Sequence, residues 1–308
     1  MNKIQNFVQI ISLLAVSCCF FFGSCTEGEM TEKGKAPIEY VDPFSDKQVL
    51  SWAESLRELE ESVLAPEIPI LGLPFAQTHW TLKSSANYNP CTGDSNYPLK
   101  RILAIRPTHW NLTRCYDDYG TFNVQLGSSN KGKSSPVQSM SLEKELADPI
   151  SFRGNVPDLG AEIQFATSSR AALFQLNVHE KDTLVLGISP HQSSRFTKIN
   201  FYPASGEIWI QDSLPDFFPG LNIYYLIQTK NKYADYGVWQ ANLRELKETQ
   251  LISTNPESGF YIKFPTDTSE SLQFKIAGSY WDIADARLNL RKEIPDWDID
   301  GLKVRGRN

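Results

Sequence analysis

Cysteine is scarce in this sequence, and most of it sits at one end. Cys18, Cys19 and Cys25 fall within the first 25 residues, leaving only Cys91 and Cys115 for the rest of the chain. No C-x-x-C or H-x-x-x-H spacing accompanies them, so no metal ligands are assigned. Also missing are the G-x-S-x-G turn of a nucleophilic serine and the H-E-x-x-H helix of a zinc protease. Positive charge is in deficit too. A formal charge of −6 offers no basic field to a polyanion, so no nucleic-acid partner is expected. No internal repeat of solenoid or propeller period is visible.

What is present points to β structure. The 308 residues suffice for one large or two ordinary domains, and 41% hydrophobic with 21% charged residues suits a packed body rather than a disordered chain. Seven Trp, 12 Tyr and 17 Phe, with recurrent β-branched runs, favour strands. Beyond Ile102 come TFNVQL, AEIQFAT, AALFQLNV, DTLVLGI, EIWIQD, NIYYLIQ, YGVWQANL, GFYIKF and LQFKIAGSY, separated by turn runs such as PASG and NPESG. Such a series predicts an all-β fold, an antiparallel β-sandwich over residues 38–280.

Helical spacing appears twice. VLSWAESLRELEESVL (49–64) has apolar residues at 49, 52, 53, 56, 59 and 63, which predicts one amphipathic helix inserted near the start. Residues 281–308 follow the strands as a linker-helix segment. Asp282 can cap a helix with apolar positions 283, 286, 290 and 294, and Asp298 can cap a stripe begun by Ile299 and Leu302. With so few apolar groups to dock, the chain from about Asp296 onward is expected to fray and to be dispensable.

The N-terminus reads as export machinery. Lys3 precedes the apolar run IQNFVQIISLLAVSCCFFFGSC, and the small residues before Cys25 resemble the lipobox of bacterial lipoproteins. Residues 1–24 are then a signal peptide, Cys25 the lipidated first residue, and the polar stretch 25–37 a tether. An ordinary signal peptide or an uncleaved anchor is the competing reading. The lipoprotein reading implies an outer-membrane protein, facing the periplasm or the cell surface, held to the membrane through its lipid. In that compartment Cys91 and Cys115 either pair as a disulfide or sit separately as small buried hydrophobes.

The densest polar and aromatic stretch is IRPTHWNLTRCYDDYG (105–120). Asp117 and Asp118 are neighbours in an extended segment, where adjacent side chains point to opposite faces. They make a poor acid/base couple, so no catalytic residue is assigned. Sugar contact suits the residue types better, because aromatic faces and planar polar groups match a carbohydrate ring. Trp80, His109, Trp110, Asp118 and Tyr119 are the candidate carbohydrate-binding residues. Core packing is the alternative for either tryptophan.

The order of motifs resembles glycoside hydrolase family 92, the calcium-dependent exo-α-mannosidases. EYVDPF (39–44) resembles the family's opening motif, and IPILGLPFAQTHWTLKS (68–84) its Leu-Pro-Phe stretch. ILAIRPTHW followed by DDYGTFNVQL is similar to its Thr-His and Asp-Tyr-Gly strands. ATSSRAALFQLNV (166–178) and FKIAGSYWDIADARLNLRKEIPDWDID (274–300) continue the series in family order. The resemblance implies the N-terminal β-sandwich domain of such an enzyme, whose linker helices lead into a large (α/α) toroid. It also implies that the acid, base and calcium ligands reside mostly in that toroid, so no cofactor is assigned here and mannose-containing glycans become the expected partners.

The sugar-side loops depart from the family pattern. A helix follows the opening motif in place of a glycine-rich loop, Ala76 stands where glycine is usual, and Trp110-Asn111-Leu112-Thr113-Arg114 replaces Gln-Pro-Ser-Pro-Trp. Thr108, His109, Asp118, Tyr119 and Gly120 are retained. Three expectations follow: an inactive glycan-binding or accessory lipoprotein, a fragment of a disrupted mannosidase gene, or a structural or protein-binding module without sugar contacts.

Overall fold

The computed structural model describes residues 70–73, 75–83, 101–108, 122–129, 139–179, 181–191, 194–213, 220–240, 245–266 and 270–307. Short strands come first: β1 (Ile70–Leu71), β2 (His79–Lys83), β3 (Arg101–Ile102), β4 (Ala104–Thr108), β5 (Phe122–Ser128) and β6 (Met140–Ser141). Then follow β7 (Glu143–Asp148), β8 (Ser151–Val156), β9 (Ala161–Thr167), β10 (Ala171–Val178), β11 (Asp182–Pro190), β12 (Phe196–Tyr202) and β13 (Glu207–Ser213). Last are β14 (Asn222–Thr229), β15 (Asp235–Trp239), β16 (Glu245–Leu246), β17 (Gln250–Ser253), β18 (Gly259–Thr266) and β19 (Leu272–Ser279), then helices α1 (Ile283–Glu293) and α2 (Ile299–Arg307). The expected helix over 49–64 lies outside the described residues.

Two antiparallel sheets pack face to face. One has the order β1-β2-β4-β5-β11-β18-β15-β16 and the other β17-β12-β13-β14-β19-β10-β9-β8-β7, with β3 and β6 forming a small ribbon. The all-β sandwich read from the sequence is therefore the fold. Inward-facing residues of both sheets fill one large core, including Trp80, Ile105, Phe122, Phe174, Ile188, Ile210, Tyr225, Ile262 and Phe274.

Its centre is a row of phenylalanines in register. Phe152 pairs with Phe165, Phe165 with Phe174 and Phe174 with Phe274 across four neighbouring strands. Their centroids are 5.4, 5.2 and 4.8 Å apart, and Trp80 from the facing sheet meets Phe174 edge-on at 5.1 Å. Cross-strand aromatic pairs on one face are favourable in this arrangement, and here they bind the two sheets together.

The second sheet is covered on its outer face as well. Ala166, Ala171, Leu173, Leu226 and Ala277 meet Ala286, Leu290 and Ile294 from α1 and its end, and Ile299 and Leu302 from α2. Alanines on the strands let the helices approach closely. This double burial leaves every residue of β19, and all of β10 but Gln175 and Asn177, buried.

The polar residues caught beneath the helices are satisfied. Lys275 donates to the Ile294 carbonyl at 2.9 Å and lies 4.1 Å from the centre of the Trp297 ring. Gln273 donates to the Trp297 carbonyl at 3.1 Å and to Gln175 at 2.8 Å. Both caps form as expected: Asp282 accepts from the Asp285 amide at 2.7 Å, and Asp298 from the Gly301 amide at 3.0 Å.

The tail does not fray. Ile299 and Leu302 are buried, Lys303 reaches Gln164 at 3.1 Å, and Arg307 reaches Asp148 at 2.9 Å. The expectation of a loose end overlooked a second apolar surface on the outer side of the sheet. Two apolar residues one turn apart are enough for docking when that surface already exists.

Candidate functional site

The candidate residues cluster in sequence around the ends of β2 and β4. His79, first in β2, lies opposite Thr108, last in β4, and Trp80 lies opposite Pro107. Pro107 has no backbone N–H to offer, and β4 keeps a single registered pair with β5, Ile105 opposite Val124. His109, Trp110, Asp118 and Tyr119 follow Thr108 and lie outside the described residues, as do Cys25, Cys91 and Cys115.

Trp80 is described, and it is 0% exposed. Strand alternation sends its indole inward with Leu82, against the phenylalanine row, while His79 and Thr81 take the other face. A buried indole packs; it does not offer a face to a sugar. The sequence left both readings open because HWTLK alternates equally well in either direction.

Around this rim the outer face of the first sheet is polar and buried. Arg106 of β4 is hydrogen-bonded to Nε2 of His191, which follows β11. Arginine is a donor only, so that nitrogen accepts and the ring proton resides on Nδ1. Burial, then the charges of Arg106 and Lys83, hold the His191 pKa well below its usual value. The ring is therefore a neutral acceptor. Asn123 of β5 donates to the Pro190 carbonyl at 3.0 Å and to Ser189 Oγ at 3.3 Å, and its Oδ1 is buried without a protein partner. Half-buried His79 also has a lowered pKa, from burial partly offset by a hydrogen bond to the Leu73 backbone.

Between the two sheets at the same end lies Asp212, 1% exposed. Thr197, its cross-strand partner, and Ser194 (at 3.1 Å) donate hydroxyl hydrogen bonds to it. Burial raises its pKa well above the usual carboxylate value, and the two hydroxyls offset part of that. Nothing at the sequence level marked Asp212 or His191; both follow alternating strands, and their burial depends on which sheet faces which.

The described polar groups of this rim, Arg106, Asn123, His191 and Asp212, are hydrogen-bonding groups. Among the described residues no three His, Cys, Asp or Glu side chains converge as metal ligands. Among them, too, no helix is long and apolar enough to cross a membrane. The run GSSNKGKS (127–134) carries the spacing of a phosphate loop. A phosphate loop needs a strand that leads into a helix N-terminus, whereas Gly127 lies in β5 of an antiparallel sheet. No nucleotide site is assigned to it.

Sandwich, polar rim and docked helices together define the class: a two-sheet β domain with helices packed on one outer face. The profile of the glycosyl hydrolase family 92 N-terminal domain matches residues 62–279, and the chain belongs to that family. Similar solved structures include the family 92 inverting mannosidase BT2199 from Bacteroides thetaiotaomicron (TM-score 0.71, 18% identity) and the family 92 α-mannosidase BT3965 from the same organism (0.69, 17%). These superpositions cover 90% and 89% of this chain but only 36% of each of the other two. The chain thus spans little more than a third of the relatives it resembles. No curated protein matches it by sequence.

Proposed function

We propose that this sandwich is a carbohydrate-binding or accessory module of the α-mannosidase type, taking mannose-containing glycans at the rim where β2 begins and β4 ends. The observation that carries the reading is the family match over 62–279, together with Thr108, His109, Asp118, Tyr119 and Gly120, the family-like residues retained in the sequence. Trp110 and Tyr119 supply aromatic surface, and His109 and Asp118 supply hydrogen bonds. The test is calorimetric titration of the full-length chain with mannosides, beside a Trp110→Ala variant. Binding to wild type that is lost in a folded Trp110→Ala protein supports the reading. A variant that instead unfolds, losing about 3–5 kcal/mol of stability, makes Trp110 a core residue.

We also propose that Cys25 carries lipid and holds the module at the outer membrane. Multiple acyl chains anchor stably where a single chain does not. The Cys25→Ser variant should leave the membrane fraction or accumulate as precursor; normal maturation and membrane recovery of that variant would sink this idea.

A further inference from the structure

The rim carries a second aromatic feature, and this one faces solvent. Trp281, in the turn between β19 and α1, is 83% exposed. Its position directly before the N-cap Asp282 is one where an apolar residue ordinarily folds down onto the fourth helical residue as a staple. That residue, Ala286, is buried in the second core without it. The indole is therefore not required for closing the helix.

Its backbone is nonetheless fixed. The Trp281 amide donates to Ser279 Oγ at 2.9 Å, and Ser279 Oγ donates to Asp285 at 2.8 Å. Asn289 ties the Gly278 carbonyl at 3.0 Å. The indole is thus exposed on a turn whose backbone hydrogen bonds already hold it in place. Tyr280 beside it is partly exposed.

The turn lies on the same rim as the candidate site. A Cβ at Gly278 would meet Thr78 Oγ1 at 3.3 Å, and Thr78 directly precedes His79, the partner of Thr108. The amides of Gln77 and Thr78 bond to the Ser169 carbonyl, in the turn that joins β9 to β10. Charge narrows the ligand. Asp282 is exposed, with Oδ1 engaged by the Asp285 amide, so Asp285 lies close by. Arg287, the nearest cation along the helix, is bound to Glu207 and stacks at 5.3 Å on Trp209. The local field therefore disfavours sulfated or uronic-acid sugars and suits hydroxyl donors.

We propose that Trp281, flanked by Tyr280 and Asp282, is the stacking platform for a neutral pyranose ring at this rim. The ring's C–H face lies on the indole, and a hydroxyl donates to Asp282. This rests on the glycan-binding reading above and gives it the exposed aromatic face that Trp80 does not provide.

The experiment titrates the full-length chain, in detergent, with soluble neutral mannan and follows tryptophan fluorescence and retention in affinity electrophoresis. Wild type should give a saturable shift of emission to shorter wavelength. Trp281→Ala, on an exposed side chain, should stay folded, lose the shift and weaken binding about tenfold or more. Trp281→Phe should restore part of the binding. Wild-type binding retained by Trp281→Ala overturns the platform and leaves the glycan reading intact. Wild type that binds no glycan overturns both. Preference for heparin over mannan overturns the assignment of a neutral sugar. A wild-type dimer that becomes monomeric in Trp281→Ala by light scattering makes this a contact between copies and overturns the platform.

Discussion

Asp212 and His191 show how single residues at one end of the sandwich set its response to pH. For Asp212, burial raises the folded-state pKa above the 3.8 expected of a free carboxyl. The folded protein then holds that proton more tightly than the unfolded chain, so stability is present at low pH and is lost as pH rises through the folded pKa. His191 works in the opposite sense. Its folded pKa lies well below 6.5, so acidification below that value protonates the unfolded chain first and removes stability. In the acid range the two slopes oppose each other, and the wild-type curve alone separates nothing. The comparison that does is Tm against pH for wild type and Asp212→Asn. An amide keeps an acceptor for Thr197 or Ser194 without a charge to bury. The stability of the variant relative to wild type should therefore climb with pH above about 4 and level off once Asp212 is ionised. A flat or falling difference would show that some neighbour compensates the buried carboxylate.

At the scale of elements, the helices depend on the sheet more than on themselves. An isolated nine-residue helix such as α2 is marginal in water, yet Ile299 and Leu302 are buried against the sheet and Trp297 covers Lys275. Burying two aliphatic side chains contributes about 3–6 kcal/mol by area, an upper figure because unfolded chains are already partly compact. Deleting 297–308 should therefore lower Tm by more than about 5 °C, and Leu302→Ala alone should cost about 2–5 kcal/mol. A truncated protein melting within a degree of wild type would mean the helix only rests there. The strands themselves were largely legible, since AEIQFAT and AALFQLNV coincide with β9 and β10. The charged edge strand EKELAD of β7 was not, because an edge needs no apolar face and Lys144 interrupts its register with a left-handed backbone. The phenylalanine row was also hidden, since register depends on turns and not on the composition of any one strand. Lys275 and Gln273 are buried only because helices arrive from beyond the strand that carries them. At the rim, Trp80 was legible as an aromatic but not in direction, and the remaining candidates lie outside the described residues.

For the whole molecule the question is whether the proposed glycan binding would extend to bond cleavage. Inverting hydrolysis requires one protonated carboxyl on the leaving oxygen and a second that activates water from the opposite side, about 6.5–9.5 Å away. Apart from exposed Asp282, the described carboxyls nearest this end are engaged. Asp212 is sealed between the sheets by Thr197 and Ser194, Asp285 is held by Ser279, and Glu293 is held by Ser168 and Arg170. Acid–base assistance is worth about 10²–10⁴-fold for each group, and preorganised charge more, so carboxyls held as these are should leave glycosides at their background rate. We expect no turnover of an aryl α-mannoside or of α-1,2-mannobiose by this chain with calcium present, even at glycan concentrations that saturate binding. Turnover that survives repurification and vanishes in Asp118→Asn or His109→Ala would place a working acid or base at the end of β4. Turnover that vanishes in neither would be a contaminant's. Saturable binding with hydrolysis at background is the outcome the proposed binding module predicts, since stacking and hydrogen bonding hold a sugar without moving the proton its cleavage needs.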